Sequence, residues 1–134
     1  MRIMLDTNIL VSMIFFPSAV TRRLAEQLSF YHRIVLCDYV IEELRLVTER
    51  KFPAKIDSLN QFFIELPFEM VYTPRKLGLQ ELNIMRDIKD SPILATARME
   101  NIDVFITGDK DFHVLDIEEP EILTITDFLE KYSY

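Results

Sequence analysis

The chain has 134 residues, the length of one domain, so we expect a single domain over residues 1–134. Its net charge of −7 argues against a non-specific nucleic-acid binder, although carboxylates gathered around divalent cations would lose part of that charge. One cysteine excludes a disulfide framework, two glycines exclude a glycine-rich phosphate loop, and no apolar run is long enough to span a membrane.

Short apolar runs alternate along the chain with longer segments of helical periodicity. The predicted strands are 2–6, 33–37, 68–72, 103–107 and 121–125. The predicted helices are 18–30, 39–51, 54–65, 77–86, 92–100 and 127–132. Such alternation indicates βαβ units, and near-continuous apolar strands indicate a sheet that is covered on both faces. We therefore predict a three-layer α/β/α sandwich with a central, mostly parallel five-stranded sheet.

The first strand ends at Asp6 in "IMLDTN". Thr7 and Asn8 are expected to cap a helix that starts at Ile9. Ligands of parallel sheets bind beyond the carboxyl ends of the strands, which makes a strand-end aspartate a candidate functional residue. The alternative is that Asp6 only ends the strand or caps the helix, and this stretch alone leaves both interpretations open.

Two adjacent glutamates follow the second strand in "CDYVIEELRLV". At about 100° per residue, the apolar side chains of this helix form one buried stripe. Its members are Val40, Ile41, Leu44 and Val47. Glu42 falls nearly opposite the stripe and is expected to face solvent, whereas Glu43 lies at its flank and can reach inward. Glu43 is therefore the candidate of the two.

Further acids lie in "RDIKDSPILATA" and "FITGDKDF". Asp90 stands at the entry to the helix 92–100, where Ser91 can serve as the cap and leave Asp90 free. Asp87 is a weaker candidate on the preceding loop. Asp109 and Asp111 follow the fourth strand, where a simple turn is the alternative.

Four of these acids, Asp6, Glu43, Asp90 and Asp109, map to helix starts or strand ends at one rim of the predicted sheet. Unpaired carboxylates in one cleft repel one another and tend to take up protons. Hard divalent cations relieve that repulsion, and Mg²⁺ prefers oxygen ligands. Two such ions about 4 Å apart are a known arrangement for in-line attack on phosphate esters.

The motifs resemble those of the PIN-domain family, and more closely the prokaryotic PIN proteins related to VapC toxins. The resemblance covers essentially the whole chain. It rests on "MLDTN" with Asp6, "IEEL" with Glu43, "DSPILATA" with Asp90, and "TGDKDF" with Thr107, Asp109 and Asp111. It implies a Mg²⁺- or Mn²⁺-dependent endoribonuclease that hydrolyses single-stranded RNA by a metal-activated water. It also implies an antitoxin protein as partner and a homodimer. A cytoplasmic protein is expected because the sequence shows one cysteine and no secretory signal.

The same resemblance assigns roles to individual residues. Asp6, Glu43, Asp90 and Asp109 would be catalytic metal ligands, with Asp111 a further ligand or an outer base. Thr7, Asn8 and Thr107 would orient carboxylates and water.

RNA contacts are expected from basic residues: Arg86, Lys89, Arg22 and Arg23. His32 and His113 are expected to be isolated surface or turn residues. The alternative function is a non-catalytic α/β protein-interaction module whose acids only cap helices. Loss of metal-dependent RNA cleavage on substituting Asp6 or Asp90 separates the two functions.

Overall fold

The computed structural model describes residues 1–74 and 91–134. The strands are β1 (Arg2–Leu5), β2 (Arg33–Cys37), β3 (Glu69–Val71), β4 (Val104–Ile106) and β5 (Glu121–Leu123). The helices of these residues are α1 (Thr7–Phe15), α2 (Ala19–Tyr31), α3 (Asp38–Lys51), α4 (Ile56–Glu65), α5 (Ser91–Met99), α6 (Lys110–His113) and α7 (Ile125–Tyr132). A 3₁₀ turn, Pro53–Lys55, precedes α4. All five predicted strands are confirmed, and the predicted helix 77–86 lies outside the described residues.

The sheet has the strand order β3-β2-β1-β4-β5, and every neighbouring pair is parallel. Consecutive residues of its central strand, Ile3, Met4 and Leu5, are fully buried, as are those of β4 from Phe105 to Ile106. Burial on both sides of the pleat requires cover on both faces, which the helices of a three-layer α/β/α sandwich provide. The predicted fold class is thereby confirmed.

The strand order reverses direction at β1. The chain adds β2 and then β3 on one side of β1, and later places β4 and β5 on its other side. Such a reversal opens a crevice at the carboxyl ends of the two strands that flank it. Because Leu5 pairs with Ile106, the residues that follow them, Asp6 and Thr107, leave the sheet side by side.

The helices pack by the apolar stripes that the sequence predicts. In α3, Val40 and Leu44 are fully buried, and in α4 Leu59 is buried to 1% exposure. Phe62 and Phe63 of α4 are partly buried against the core, so this helix contributes to the core. None of the described helices is both long and apolar enough to cross a membrane.

Candidate acidic active site

Asp6 follows β1 directly and is 5% exposed. Its Oδ1 accepts a hydrogen bond of 2.8 Å from the backbone N–H of Thr7, so Asp6 is the N-cap of α1. Its Oδ2 accepts a hydrogen bond of 2.7 Å from the hydroxyl of Thr107. The prediction that Thr7 and Asn8 cap a helix beginning at Ile9 was wrong. The helix begins at Thr7 because the Asp6 carboxylate supplies the capping oxygen.

The environment of Asp6 disfavours its charged form. Burial raises the pKa of Asp6 above its ordinary value of 3.8, and the hydrogen bonds from Thr107 and Thr7 offset part of that effect. The negative charges of Glu43 and Asp109 raise the pKa further. These two carboxylates therefore lie close enough to Asp6 to act on it electrostatically.

Thr107 links Asp6 to Asp109. Its hydroxyl donates to Asp6 and accepts a hydrogen bond of 3.0 Å from the backbone N–H of Asp109. The Asp109 carboxylate in turn accepts a hydrogen bond of 2.9 Å from the N–H of Asp111 and caps α6, a short helix that the sequence analysis did not predict. Asp6 and Asp109 therefore each cap a helix with one carboxylate oxygen, and both carboxylates lie at the carboxyl-terminal end of the sheet.

Glu43 lies in the second turn of α3, and its exposure matches the position predicted from helical spacing. It is half-buried, whereas its neighbour Glu42 is exposed to solvent. Tyr39, Leu46 and Arg50 line the same concave surface of α3 as the two glutamates. Of the two glutamates, Glu43 is the one whose charge raises the pKa of Asp6.

The PIN domain family model matches residues 3–118, most of the chain. The chain belongs to the PIN domain family. The family resemblance drawn from the four acidic motifs is thereby confirmed.

Three solved structures share the fold of this PIN domain. VapBC2 from Rickettsia felis, bound to a DNA fragment from its promoter, is 22% identical over 92% of this chain and 97% of its own, with a TM-score of 0.72. FitAB bound to an IR36 DNA fragment is 17% identical over 92% and 94%, with a TM-score of 0.71. Mycobacterium tuberculosis VapC20, a sarcin-ricin loop cleaving toxin, is 13% identical over 84% and 95%, with a TM-score of 0.59. No curated protein sequence matches the chain.

The donor chemistry of the rim fits a hard divalent cation. All its donors are carboxylate and hydroxyl oxygens, which Mg²⁺ and Mn²⁺ prefer. Each Asp6 oxygen accepts one hydrogen bond in the structure and has capacity for another partner. Within residues 1–74 and 91–134, no three His, Cys, Asp or Glu side chains are grouped closely enough to hold an ion by themselves. Asp90, the fourth predicted ligand of this PIN domain, lies outside those residues, as does Asp87.

The other predicted site residues differ in their surroundings. Thr7 is 3% exposed, and its hydroxyl has no hydrogen-bond partner among the described residues, so it has a free donor beside Asp6. Asn8 is exposed. Arg22 and Arg23 are exposed on α2, and the Arg23 guanidinium donates to the hydroxyl of Ser133 at 2.9 Å. Arg86 and Lys89 lie outside the described residues.

Neither histidine is isolated, although His113 lies at the surface as predicted. The His32 ring is half-buried, with its centroid 5.5 Å from that of Phe128 and 6.0 Å from that of Tyr134. His113 is exposed, but its Nε2 lies 2.8 Å from the carbonyl oxygen of Thr107. The sequence pattern could not predict the His113 contact, because it forms only when the short helix α6 folds back onto the end of β4.

Proposed function

We propose that this PIN domain is a metal-dependent endoribonuclease that hydrolyses phosphodiester bonds of single-stranded RNA. The single observation that carries the proposal is the buried Asp6 carboxylate, whose pKa is raised by burial and by the charges of Glu43 and Asp109. Burying a carboxylate close to two others opposes folding, because desolvation and mutual repulsion both disfavour its charged form. Binding of a divalent cation by Asp6, Glu43 and Asp109 would offset this cost and so explains why these carboxylates lie near one another.

The proposed ligands are Asp6, Glu43, Asp90 and Asp109, with Asp111 as a further ligand or an outer base. When bound, Mg²⁺ or Mn²⁺ supplies activation of a water molecule and stabilisation of the charge that develops on the phosphate. The residues of the chain hold the ligands in place. Thr107 orients Asp6 and the Asp109 backbone, and the unpartnered hydroxyl of Thr7 is available to a water or a phosphate oxygen.

RNA would approach a protein whose net charge is −7, so local positive charge has to hold its backbone. We propose Arg86 and Lys89, which adjoin Asp90 in sequence, as the main phosphate contacts. Arg22 has an exposed side chain that is free to contribute. Arg23 would contribute only after release from Ser133, since its guanidinium donates to that hydroxyl.

We further propose that the protein is the toxin of a toxin–antitoxin pair and that it works in the cytoplasm. Two structures of similar fold, VapBC2 and FitAB, are complexes bound to DNA, and a third, VapC20, is described as a toxin that cleaves the sarcin-ricin loop. These likenesses support an antitoxin protein as the partner, and we also propose the homodimer that the family resemblance implies. Co-purification with the product of an adjacent small reading frame tests the first of these.

The competing function is a non-catalytic interaction module whose acids only cap helices. One observation favours it, since Asp6 and Asp109 each cap a helix. Capping, however, requires neither the burial of Asp6 nor the nearby charges of Glu43 and Asp109. Ser or Thr would cap as well without that electrostatic cost.

The deciding experiment is cleavage of a mixed single-stranded RNA pool with Mn²⁺, with Mg²⁺ and with EDTA. We expect cleavage with either ion and none in EDTA. Asp6→Asn and Asp90→Asn should each abolish cleavage while the circular dichroism spectrum is retained, and Glu42→Gln is the matched control on the exposed face of α3. Full activity in EDTA or in either aspartate variant would exclude the nuclease.

A further inference from the structure

His113 contacts the main chain at the point where β4 leaves the sheet. Its Nε2 lies 2.8 Å from the carbonyl oxygen of Thr107, six residues earlier. A carbonyl oxygen only accepts hydrogen bonds, so Nε2 carries the proton and donates. The imidazole therefore fixes the orientation of the peptide unit that joins Thr107 to Gly108.

Thr107, which supplies the carbonyl of that peptide unit, also contacts Asp6 and Asp109. Thr107 is fully buried, and its N–H donates to the carbonyl oxygen of Leu123 in β5 at 3.0 Å. Its hydroxyl bridges the Asp6 carboxylate and the Asp109 amide. With the His113 contact included, every polar group of Thr107 has a partner. A shift of this residue would move both aspartates with respect to each other.

The short helix α6 delivers His113 to this position. Four residues cannot form a stable helix alone, so tertiary contacts must hold it. Phe112 is fully buried, and its ring meets that of Phe105 edge-on at a centroid distance of 5.0 Å. Phe112 therefore holds α6 against the sheet by packing on Phe105, and His113 holds it to the end of β4 through its hydrogen bond to Thr107.

We propose that His113 is a positioning residue of the acidic site, acting through Thr107 on Asp6 and Asp109. This inference rests on the proposed function, in which those aspartates hold a divalent cation. The proposed role requires no proton transfer by His113, because it depends only on the hydrogen bond from its Nε2–H to the Thr107 carbonyl. Its contribution is to hold two ligands at the separation that the cation requires.

The first test is Mn²⁺ binding, measured from the free-ion electron paramagnetic resonance signal. We expect His113→Ala to weaken Mn²⁺ binding by about tenfold, the lower end of the loss seen when an outer partner of a metal ligand is removed. His113→Gln places an amide N–H close to the position of Nε2 and should bind Mn²⁺ like the unchanged protein. Val114→Ala, a change at an exposed neighbour on the same turn, is the matched control. RNA cleavage by His113→Ala should recover at saturating Mn²⁺.

The second test needs neither metal nor activity. The Thr107 carbonyl shares its peptide bond with the Gly108 amide, so a hydrogen bond to that carbonyl polarises the bond and shifts the Gly108 nitrogen resonance. The chain has two glycines, so ¹⁵N-glycine labelling yields two amide signals. Gly108→Ala identifies the relevant signal, and a methyl group at this position would meet no atom within 4 Å. We expect the Gly108 signal to move in His113→Ala and to stay in place in His113→Gln.

The two tests separate this inference from the proposed function. An unmoved Gly108 signal in His113→Ala, or Mn²⁺ binding equal to that of the unchanged protein, would overturn the positioning role. Equal losses in the alanine and glutamine variants would also overturn it, because the hydrogen bond would then not be the cause. Failure of the unchanged protein to bind Mn²⁺ would instead count against the nuclease, and the inference would fall with it.

Discussion

The Thr107 hydroxyl donates to the Asp6 carboxylate at 2.7 Å across 101 positions of sequence. Both groups are buried at the carboxyl ends of neighbouring parallel strands, β1 and β4. The same hydroxyl accepts from the Asp109 amide. One side chain therefore sets the relative positions of two acids that the sequence keeps far apart, and its loss should affect stability and activity together.

Thr107→Val removes this hydroxyl while preserving the shape of the side chain. The buried Asp6 oxygen and the Asp109 amide would each lose a partner, and an unsatisfied buried polar group costs about 1–3 kcal/mol. We expect the free energy of unfolding to fall by that order and RNA cleavage to fall with it. Thr107→Ser keeps the hydroxyl and should retain most of both. Urea unfolding and cleavage assays measure the two effects, and equal results for valine and serine would contradict the bridging role.

Asp6→Asn should stabilise the metal-free protein near neutral pH. The folded-state pKa of Asp6 lies above its ordinary value, so the native state holds this proton more tightly than the unfolded chain. The favourable contribution is therefore complete below the unfolded pKa of 3.8 and is lost as pH rises through the folded value. An asparagine has no charge to bury at any pH, so the variant does not lose this stability as pH rises.

Melting curves in EDTA across a pH series measure this effect. The melting temperature of Asp6→Asn should exceed that of the unchanged protein by a margin that grows with pH from acid to neutral. Asp103→Asn is a useful control for the removal of one negative charge, since Asp103 is an exposed aspartate at the opposite end of the sheet that accepts a hydrogen bond from the Arg2 amide. A difference that is independent of pH would contradict the argument.

Divalent cations should reverse the order of stability. A ligand that binds only the native state stabilises it by about 2.7 kcal/mol at a hundredfold excess over its dissociation constant. We expect Mn²⁺ or Mg²⁺ to raise the melting temperature of the unchanged protein and to leave that of Asp6→Asn nearly unmoved. EDTA should abolish the rise. A similar shift in both proteins would indicate that the ions bind elsewhere.

Much of the architecture could be predicted from the sequence because the signals were local. Five apolar runs bounded by polar residues predicted five strands, and parallel pairing then brought Asp6 and Asp109 to one rim. The helical spacing of α3 likewise predicted that Glu42 would face solvent and that Glu43 would lie at the flank of the buried stripe, and in the structure Glu42 is exposed and Glu43 half-buried. These predictions needed only the periods of strands and helices and the rule that parallel strands end on one side.

The remaining features depend on tertiary contacts. Helix α6 is four residues long, too short to leave a periodic pattern, and Phe112 holds it by packing against Phe105. The sequence could not decide whether Asp6 or its neighbours Thr7 and Asn8 cap α1, because all three residue types are good caps, and the structure assigns the cap to Asp6. The role of His113 could not be read from its neighbours in sequence, since its partner is a backbone carbonyl whose direction depends on the fold.

The adjacent glutamates of α3 offer a matched pair of variants. Glu43→Gln removes a proposed metal ligand whose charge also acts on Asp6, so we expect cleavage to fall by at least about 100-fold, the most that loss of a mere outer partner of a ligand typically costs. Glu42→Gln makes the same chemical change at the exposed neighbour and should leave cleavage intact. Initial rates at several Mn²⁺ concentrations distinguish weaker ion binding from slower chemistry. Equal losses in both variants would mean that net charge, rather than position at the rim, is what Glu43 contributes.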